Sequence, residues 1–121
     1  MATVRYIVSD VDSAVAFYTT HLGFAVVEQF GTTIAITKRD DLTLWLAGPN
    51  ASASRPMPDG RRPEPGGWNR IALVVTDIEA SVAAMKAAGV PFRNDIVTGP
   101  GGRQILCEDP SGNVVELFQP A

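Results

Sequence analysis

Residues 8–15 (VSDVDSAV) recur 67 positions later as residues 75–82 (VTDIEASV), and the fold follows from this repeat. In each copy an apolar, strand-like segment ends in Ser or Thr plus Asp, and apolar residues at helical spacing come next. Ser9 with Asp12, and Thr76 with Glu79, match the Ser/Thr-x-x-Asp/Glu pattern that starts many helices. One helix start repeated at a constant offset predicts two modules of similar structure.

Each half of the chain has the pattern of one strand, one helix and three further strands. Gly23 and Gly89 follow the two helical stretches and are typical of helix C-terminal ends. In the first half we predict a strand over 3–8, a helix over 10–22 and strands over 24–30, 32–38 and 42–47. In the second half we predict a strand over 69–75, a helix over 77–88 and strands over 92–98, 104–108 and 113–118.

A segment rich in proline and glycine separates the halves. Residues 48–67 contain five prolines and four glycines, a composition that excludes a helix or an inner strand. We therefore predict one domain over 1–121, with a first module over 1–47 and a second over 68–121. A loop of this length is either a linker or a functional lid, and both alternatives stay open.

Charge and composition exclude several classes of function. The 121 residues carry a net charge of −3, whereas a protein that binds nucleic acid needs a basic face. The apolar runs are far too short to span a bilayer, and the first residues do not resemble a signal peptide. We therefore expect a cytoplasmic protein with no nucleic-acid or membrane partner. The single cysteine, Cys107, excludes an internal disulfide, and His21 is the only histidine.

Two further motifs carry a family resemblance. Residues 108–118 (EDPSGNVVELF), and residues 10–18 (DVDSAVAFY) followed by 22–24 (LGF), resemble motifs of the vicinal oxygen chelate superfamily. This superfamily contains glyoxalase I, bleomycin-resistance proteins and extradiol dioxygenases. The resemblance implies an α+β fold of two βαβββ modules, with cupped mixed sheets, helices outside and a ligand cavity inside. It also implies a homodimer, in which a cavity can draw one module from each subunit.

The resemblance also identifies where a metal would bind. Enzymes of this family place His, Glu or Gln ligands on the first and last strands of each module. The matching positions here hold Thr3, Trp45, Arg70 and Glu116. Only Glu116 is an ordinary ligand, and the guanidinium of Arg70 has no lone pair to offer and would repel a cation. We therefore predict a site with no metal and no cofactor.

Strand alternation predicts which side chains line the cup instead. Residues two apart on a strand share a face, and the resulting lining is mostly apolar with a few polar and aromatic groups, as in many ligand sites. The two tryptophans are either stacking surfaces for a flat ligand or core residues. The ligand-binding candidates are Thr3, Arg5, Trp45, Trp68, Arg70, Glu116 and Phe118.

Two hypotheses remain for Arg70 and Glu116. They form an ion pair in place of the metal, or Arg70 holds a ligand carboxylate or phosphate while Glu116 accepts a hydroxyl or amine. The leading functional hypothesis is a metal-free protein that holds a small organic ligand, anionic or aromatic, as bleomycin-resistance proteins hold their drugs. One alternative is a cofactor-free lyase or isomerase, with Glu116 as base and Arg70 as oxyanion stabiliser. Another is a metal-dependent glyoxalase or dioxygenase.

Overall fold

Two repeats of strand, helix and three strands make up the computed structural model, which describes residues 2–121. The chain divides into two compact units between Gly66 and Gly67. The predicted α+β fold of two βαβββ modules is confirmed, because each unit has one helix and one mixed four-stranded sheet. No helix within residues 2–121 combines the length and the apolar character that crossing a membrane requires.

The first unit contains one helix and four strands. Its elements are β1 (Thr3–Ile7), α1 (Val11–His21), β2 (Ala25–Phe30), β3 (Ile34–Arg39) and β4 (Leu42–Ala47). Strand β1 runs parallel to β4, and the other neighbours are antiparallel, in the order β1-β4-β3-β2. We call this sheet 1.

The second unit repeats this arrangement. Its elements are β5 (Ile71–Val74), α2 (Ile78–Ala87), β6 (Val97–Gly99), β7 (Gly102–Glu108) and β8 (Val114–Pro120). Strand β5 runs parallel to β8, and the order is β5-β8-β7-β6. We call this sheet 2.

The core of each unit lies between its helix and one face of its sheet. Helix α1 contacts β3 and β4, where Leu44 and Leu46 are fully buried together with Tyr18 of the helix. Helix α2 contacts β8, where Leu117 is buried beside Ile78 of the helix. Full burial of one such side chain contributes about 1.5–3 kcal/mol to folding. The opposite face of each sheet carries no helix, and we call it the open face.

Both helices begin one residue later than the helix-start pattern predicts. The N-caps are Asp10 and Asp77, not Ser9 and Thr76. The Asp77 carboxylate accepts the backbone N–H of Ala80 at 3.1 Å, which satisfies a donor that the helix itself cannot pair. At the first helix, hydrogen bonds from the hydroxyl and the backbone N–H of Ser13 lower the pKa of the Asp10 carboxyl from its ordinary value. Aspartate therefore supplies both caps.

The first strand after α2 is shorter than predicted. A strand was expected over 92–98, but β6 covers only Val97–Gly99, and Phe92 makes a single bridge to Cys107. The side chain of Asn94 accepts the backbone N–H of Leu106 at 3.0 Å. The side-chain oxygen of Asn94 thus accepts a hydrogen bond that a backbone carbonyl would accept in a regular β-sheet, and the strand is interrupted here.

Residues 48–67 contain no α-helix or β-strand, only one 3₁₀ turn over Ser52–Ser54. The segment is nevertheless anchored to the first unit. Ala51 is buried, and the hydroxyl of Ser54 donates to the carbonyl of Gly48 at 2.7 Å. A Cβ at Gly48 would lie 2.6 Å from the carbonyl oxygen of Thr32, so a larger residue does not fit there without movement.

The caps make a prediction about stability. Replacing Asp77 with Ala should lower the free energy of unfolding by about 1 kcal/mol, because the N–H of Ala80 loses its acceptor. Replacing Asp77 with Ser should cost much less, since serine also caps. Urea denaturation of both variants measures the difference. Equal stabilities would show that the cap contributes nothing.

The single thiol makes a second prediction. Cys107 is completely buried, and burial raises the pKa of its thiol to about 12. The reactive form is the thiolate, so the native protein at pH 8 should not react with a disulfide reagent such as dithiobis-nitrobenzoate. The urea-unfolded chain should release one equivalent of the coloured thiolate. Rapid reaction of the native protein would contradict the buried position.

Candidate functional site

Glu116 lies near the centre of the open face of sheet 2. It pairs in register with Ala72 of β5 on one side and with Leu106 of β7 on the other. Register partners in neighbouring strands point to the same face of a sheet. The same alternation places Phe118 on this face, in register with Val74 and Gln104. The open face of sheet 2 therefore has a carboxylate in an otherwise mostly apolar row.

Arg70 reaches this carboxylate from just before β5. Its Nε and Nη2 lie 3.1 and 3.0 Å from the same oxygen, Oε1 of Glu116. Its Nη1 donates to the backbone carbonyl of Trp68 at 3.3 Å. The side chains of Arg70 and Glu116 are 30% and 13% exposed. The pair is thus partly shielded from water but can be reached by a small molecule.

Both partners keep hydrogen-bonding capacity. Within residues 2–121, no contact occupies Oε2 of Glu116. A guanidinium carries more N–H donors than the three contacts of Arg70 use. An anionic group can therefore bind Arg70, and a hydroxyl or amine can donate to Glu116, at the same place.

A second ion pair adjoins the first, and sequence reasoning missed it. Nε of Arg93 lies 2.7 Å from Oε2 of Glu108, and the guanidinium carbon of Arg93 lies 4.6 Å from the centre of the Trp68 ring. Glu108 shares the open face with Glu116 through the alternation of β7, so strand periodicity could have indicated it. No pattern indicated Arg93, because it lies in the interrupted segment before β6.

The candidates of the first unit form a separate group on sheet 1. Arg5 pairs in register with Trp45, and its guanidinium carbon lies 4.7 Å from the ring centre. Thr3 is exposed at the start of β1, in register with Thr43. The structure thus brings Arg70, Glu116 and Trp68 together in one unit and Arg5 and Trp45 together in the other.

The register also relates the two last strands. Arg5 and Ala72 are 67 positions apart, the offset of the repeat, and their partners across the sheets are Trp45 and Glu116. Trp45 and Glu116 therefore occupy equivalent positions in the two modules, as the sequence alignment of the repeats proposed.

The donor set at these positions does not fit a metal ion. Thr3, Trp45 and Arg70 offer no ordinary ligand, and Glu116 is already paired with the guanidinium of Arg70. Within residues 2–121, no three His, Cys, Asp or Glu side chains are close enough together to hold a metal. A catalytic zinc ion needs about three protein ligands, usually including His.

Residues of the 48–67 segment line a cavity in the first unit. Its volume is about 310 Å³, and it lies where β1 ends. Prolines supply much of its apolar wall, and Arg62 contributes a charged guanidinium to the lining. The lining consists of Ile7, Val8, Ser9, Pro49, Ser54, Arg62, Pro63 and Pro65. The segment therefore folds back on its own unit, and the lid hypothesis stays a prediction.

Comparison with known proteins gives a family and several similar structures. The family model for the Glyoxalase/Bleomycin resistance protein/Dioxygenase superfamily matches residues 1–117. The antibiotic-binding protein TnmS3 from Streptomyces sp. CB03234 is 27% identical, with a TM-score of 0.70 over 100% of this chain and 97% of that chain. No curated protein matches the sequence.

Two further structures are similar in fold. Lactoylglutathione lyase from Agrobacterium tumefaciens is 22% identical, with a TM-score of 0.76 over 98% of this chain and 92% of that chain. The fosfomycin resistance protein FosX from Listeria monocytogenes is 16% identical, with a TM-score of 0.76 over 100% of this chain and 93% of that chain. At these identities the likeness shows the fold alone.

The two hypotheses for the ion pair predict different stabilities. Arg70→Ala should lower the free energy of unfolding by about 1–2 kcal/mol, because the shielded carboxylate of Glu116 loses its partner. If the pair serves binding and not stability, the double variant Arg70→Met/Glu116→Leu should be at least as stable as the wild type. Urea denaturation measures both. A double variant as unstable as Arg70→Ala would support the purely structural hypothesis.

Proposed function

This chain belongs to the glyoxalase/bleomycin resistance protein/dioxygenase superfamily, and from that premise we propose that it binds a small organic anion without a metal. The site is the open face of sheet 2, with Arg70 and Glu116 as its polar centre. Phe118 and Trp68 contribute apolar and aromatic surface. Thr3, Arg5 and Trp45 present a second group of ligand-contacting side chains on sheet 1.

One observation carries the proposal: the protein itself uses only part of the hydrogen-bonding capacity of the Arg70–Glu116 pair. A bidentate fork with both oxygens would have occupied the carboxylate more fully. Here Arg70 engages one oxygen of Glu116 and leaves the other unoccupied by any residue in 2–121. A carboxylate or phosphate on Arg70 and a hydroxyl or amine on Glu116 complete this arrangement.

The identity to TnmS3 favours binding over catalysis. That protein is an antibiotic-binding protein, and the likeness extends over the whole of this chain. We further propose that the protein is a homodimer in which the partner covers the open faces. We also propose that it is located in the cytoplasm. Val74 and Val97 on the open face of sheet 2 are 58% and 47% exposed. Exposed apolar side chains of this kind are typical of a surface that another molecule covers.

A cofactor-free lyase or isomerase is the second candidate. The unoccupied oxygen of Glu116 is placed to accept a proton, and Arg70 beside it is placed to stabilise a developing negative charge. Both candidates use the same two side chains, so turnover decides between them. A metal-dependent glyoxalase or dioxygenase has no adequate donor set at the positions Thr3, Trp45, Arg70 and Glu116.

The first arm of the test is metal content. Protein purified without chelators, and again after loading with Zn²⁺, Mn²⁺, Ni²⁺ and Fe²⁺, should contain no stoichiometric metal in elemental analysis. One tightly bound ion per chain would contradict the placement of Thr3, Trp45 and Arg70 at the ligand positions and would favour the enzyme.

The second arm is anion binding. We expect 2-naphthoate to bind in titration calorimetry and the neutral 2-naphthamide to bind much more weakly, because only the acid can accept charge-assisted hydrogen bonds. Arg70→Ala should weaken 2-naphthoate by about tenfold or more and leave 2-naphthamide nearly unchanged. Arg103→Ala, which removes a partly shielded arginine paired with Glu79, is the matched control. Equal affinities of wild type and Arg70→Ala for 2-naphthoate would exclude this site.

A further inference from the structure

Trp68 is an exposed tryptophan in a fixed position. It is 68% exposed, although an aromatic side chain of this size gains more from burial than almost any other. It lies between β5 and two glycines, Gly66 and Gly67, whose φ angles of 106° and 93° only glycine adopts readily. Such a segment would ordinarily be mobile, so what holds the indole ring requires an explanation.

Arg93 provides the attachment. Its Nε contacts Oε2 of Glu108 at 2.7 Å, its Nη1 donates to the carbonyl of Gly67 at 2.8 Å, and its Nη2 donates to the carbonyl of Gly112 at 3.2 Å. All three nitrogens are engaged, and the side chain is only 17% exposed. The plane of the guanidinium is therefore fixed, and Gly67 is tied to it directly.

The Trp68 ring rests on this fixed plane. The guanidinium carbon of Arg93 lies 4.6 Å from the ring centre, well within the range of a cation–π contact. With one side of the ring on the arginine and most of the residue exposed, the opposite side faces solvent in this chain. Trp68 is also held from the side of β5, because Nη1 of Arg70 donates a hydrogen bond to the backbone carbonyl of Trp68.

We propose that Arg93 is a positioning residue that holds the Trp68 ring as a platform, on which the aromatic part of a flat aromatic acid stacks. This inference rests on the proposed function, because the acid group binds Arg70, two residues further along the chain. Each guanidinium nitrogen of Arg93 is held by a different residue, and its side chain is less exposed than that of Arg70, so Arg93 orients the ring and does not compete with Arg70 for the anion. The ligand class is thereby narrowed from small organic anions to flat aromatic carboxylates and related acids.

Lysine cannot replace arginine in this role. Its ammonium is a compact charge without a plane, so it cannot bond Glu108, Gly67 and Gly112 at once while presenting a flat surface to the ring. Arg93→Lys therefore removes the positioning and keeps the charge. It is also a milder test of folding than Arg93→Ala, which would leave Glu108 without a cation.

The experiment compares two acids that differ only in flatness and aromatic character, 2-naphthoate and its saturated analogue decahydro-2-naphthoate. Titration calorimetry measures the affinity of each for the wild type, Trp68→Ala, Arg93→Lys and Arg70→Ala. We expect Trp68→Ala and Arg93→Lys each to weaken 2-naphthoate by about tenfold and to change decahydro-2-naphthoate by less than about twofold. Arg70→Ala should weaken both acids.

Arg103→Lys is the matched control. Arg103 forms a similar ion pair, 2.8 Å from Glu79, and has no contact with Trp68. This variant should leave both affinities unchanged, so an effect confined to Arg93→Lys reflects the lost contacts with Trp68 and its neighbours.

A second measurement follows Trp68 without any ligand. Trp45 and Trp68 are the only tryptophans, so a Trp45→Phe background leaves Trp68 as the single indole. Its time-resolved fluorescence anisotropy should show little independent motion of the ring. Adding Arg93→Lys should produce a fast local component, and adding Arg103→Lys should not.

The outcomes separate the two proposals. In one outcome, Arg70→Ala loses the binding of both acids and Arg93→Lys does not preferentially weaken the binding of 2-naphthoate. This outcome would uphold the anion site and overturn the platform. Equal weakening of both acids by Arg93→Lys would show a merely structural role and would also overturn it, as would unchanged motion of Trp68. Binding of neither acid to the wild type would overturn both proposals together.

Discussion

Alternation of side chains along the strands is the constraint on which both units depend. A helix covers one face of each sheet, so along β5 and over residues 115–118 of β8 buried core residues alternate with residues of the open face. In β8, Val115 and Leu117 are buried, and Glu116 lies between them on the other face. A register slip of one residue would bury the carboxylate and expose Leu117. Core and candidate site are therefore determined together.

Arginine–carboxylate pairing allows charged groups to lie on this largely apolar open face. Removing a charge from water costs free energy, and a partly shielded guanidinium offsets this desolvation only when its N–H groups donate to acceptors. Arg93 donates to a carboxylate and two carbonyls on three different residues and contacts an aromatic ring, and its side chain is 17% exposed. Arg70 also makes three contacts, but two of them go to one oxygen of Glu116, and its side chain is 30% exposed. The larger set of acceptors and the deeper burial of Arg93 are the physical basis for assigning it to support and Arg70 to binding.

The two modules also show how one framework carries different chemistry. Equivalent positions on the last strands hold Trp45 in one module and Glu116 in the other, and an arginine contacts each. The arginines come from different positions, because Arg5 lies directly across from Trp45, whereas Arg70 is two residues before Ala72, the register partner of Glu116. The backbone repeats, but the side chains on the open faces do not, which is why the family fold by itself does not identify the ligand.

Most of the fold was predictable from sequence, because its signals are local. The repeat, the helical spacing and the glycines after each helix predicted two βαβββ modules, and the ligand positions of the family that the motifs resemble indicated that Arg70 and Glu116 share a site. Two local details differ: the caps are Asp10 and Asp77, and the strand predicted over 92–98 is interrupted where the side-chain oxygen of Asn94 accepts the backbone N–H of Leu106. A serine or threonine next to an aspartate offers two possible caps, and only the backbone angles select one.

The sequence by itself determined the module pattern and the alternation of strand faces, since each depends on the spacing of residues along one chain segment, and the family resemblance indicated that Arg70 and Glu116 belong to one site. Only the tertiary structure decided the role of Arg93. Its three hydrogen bonds and its ring contact join Gly67, Trp68, Glu108 and Gly112, which lie on different segments. Contacts among distant segments depend on how the chain closes on itself, and no periodicity along the sequence encodes which arginine will meet which ring.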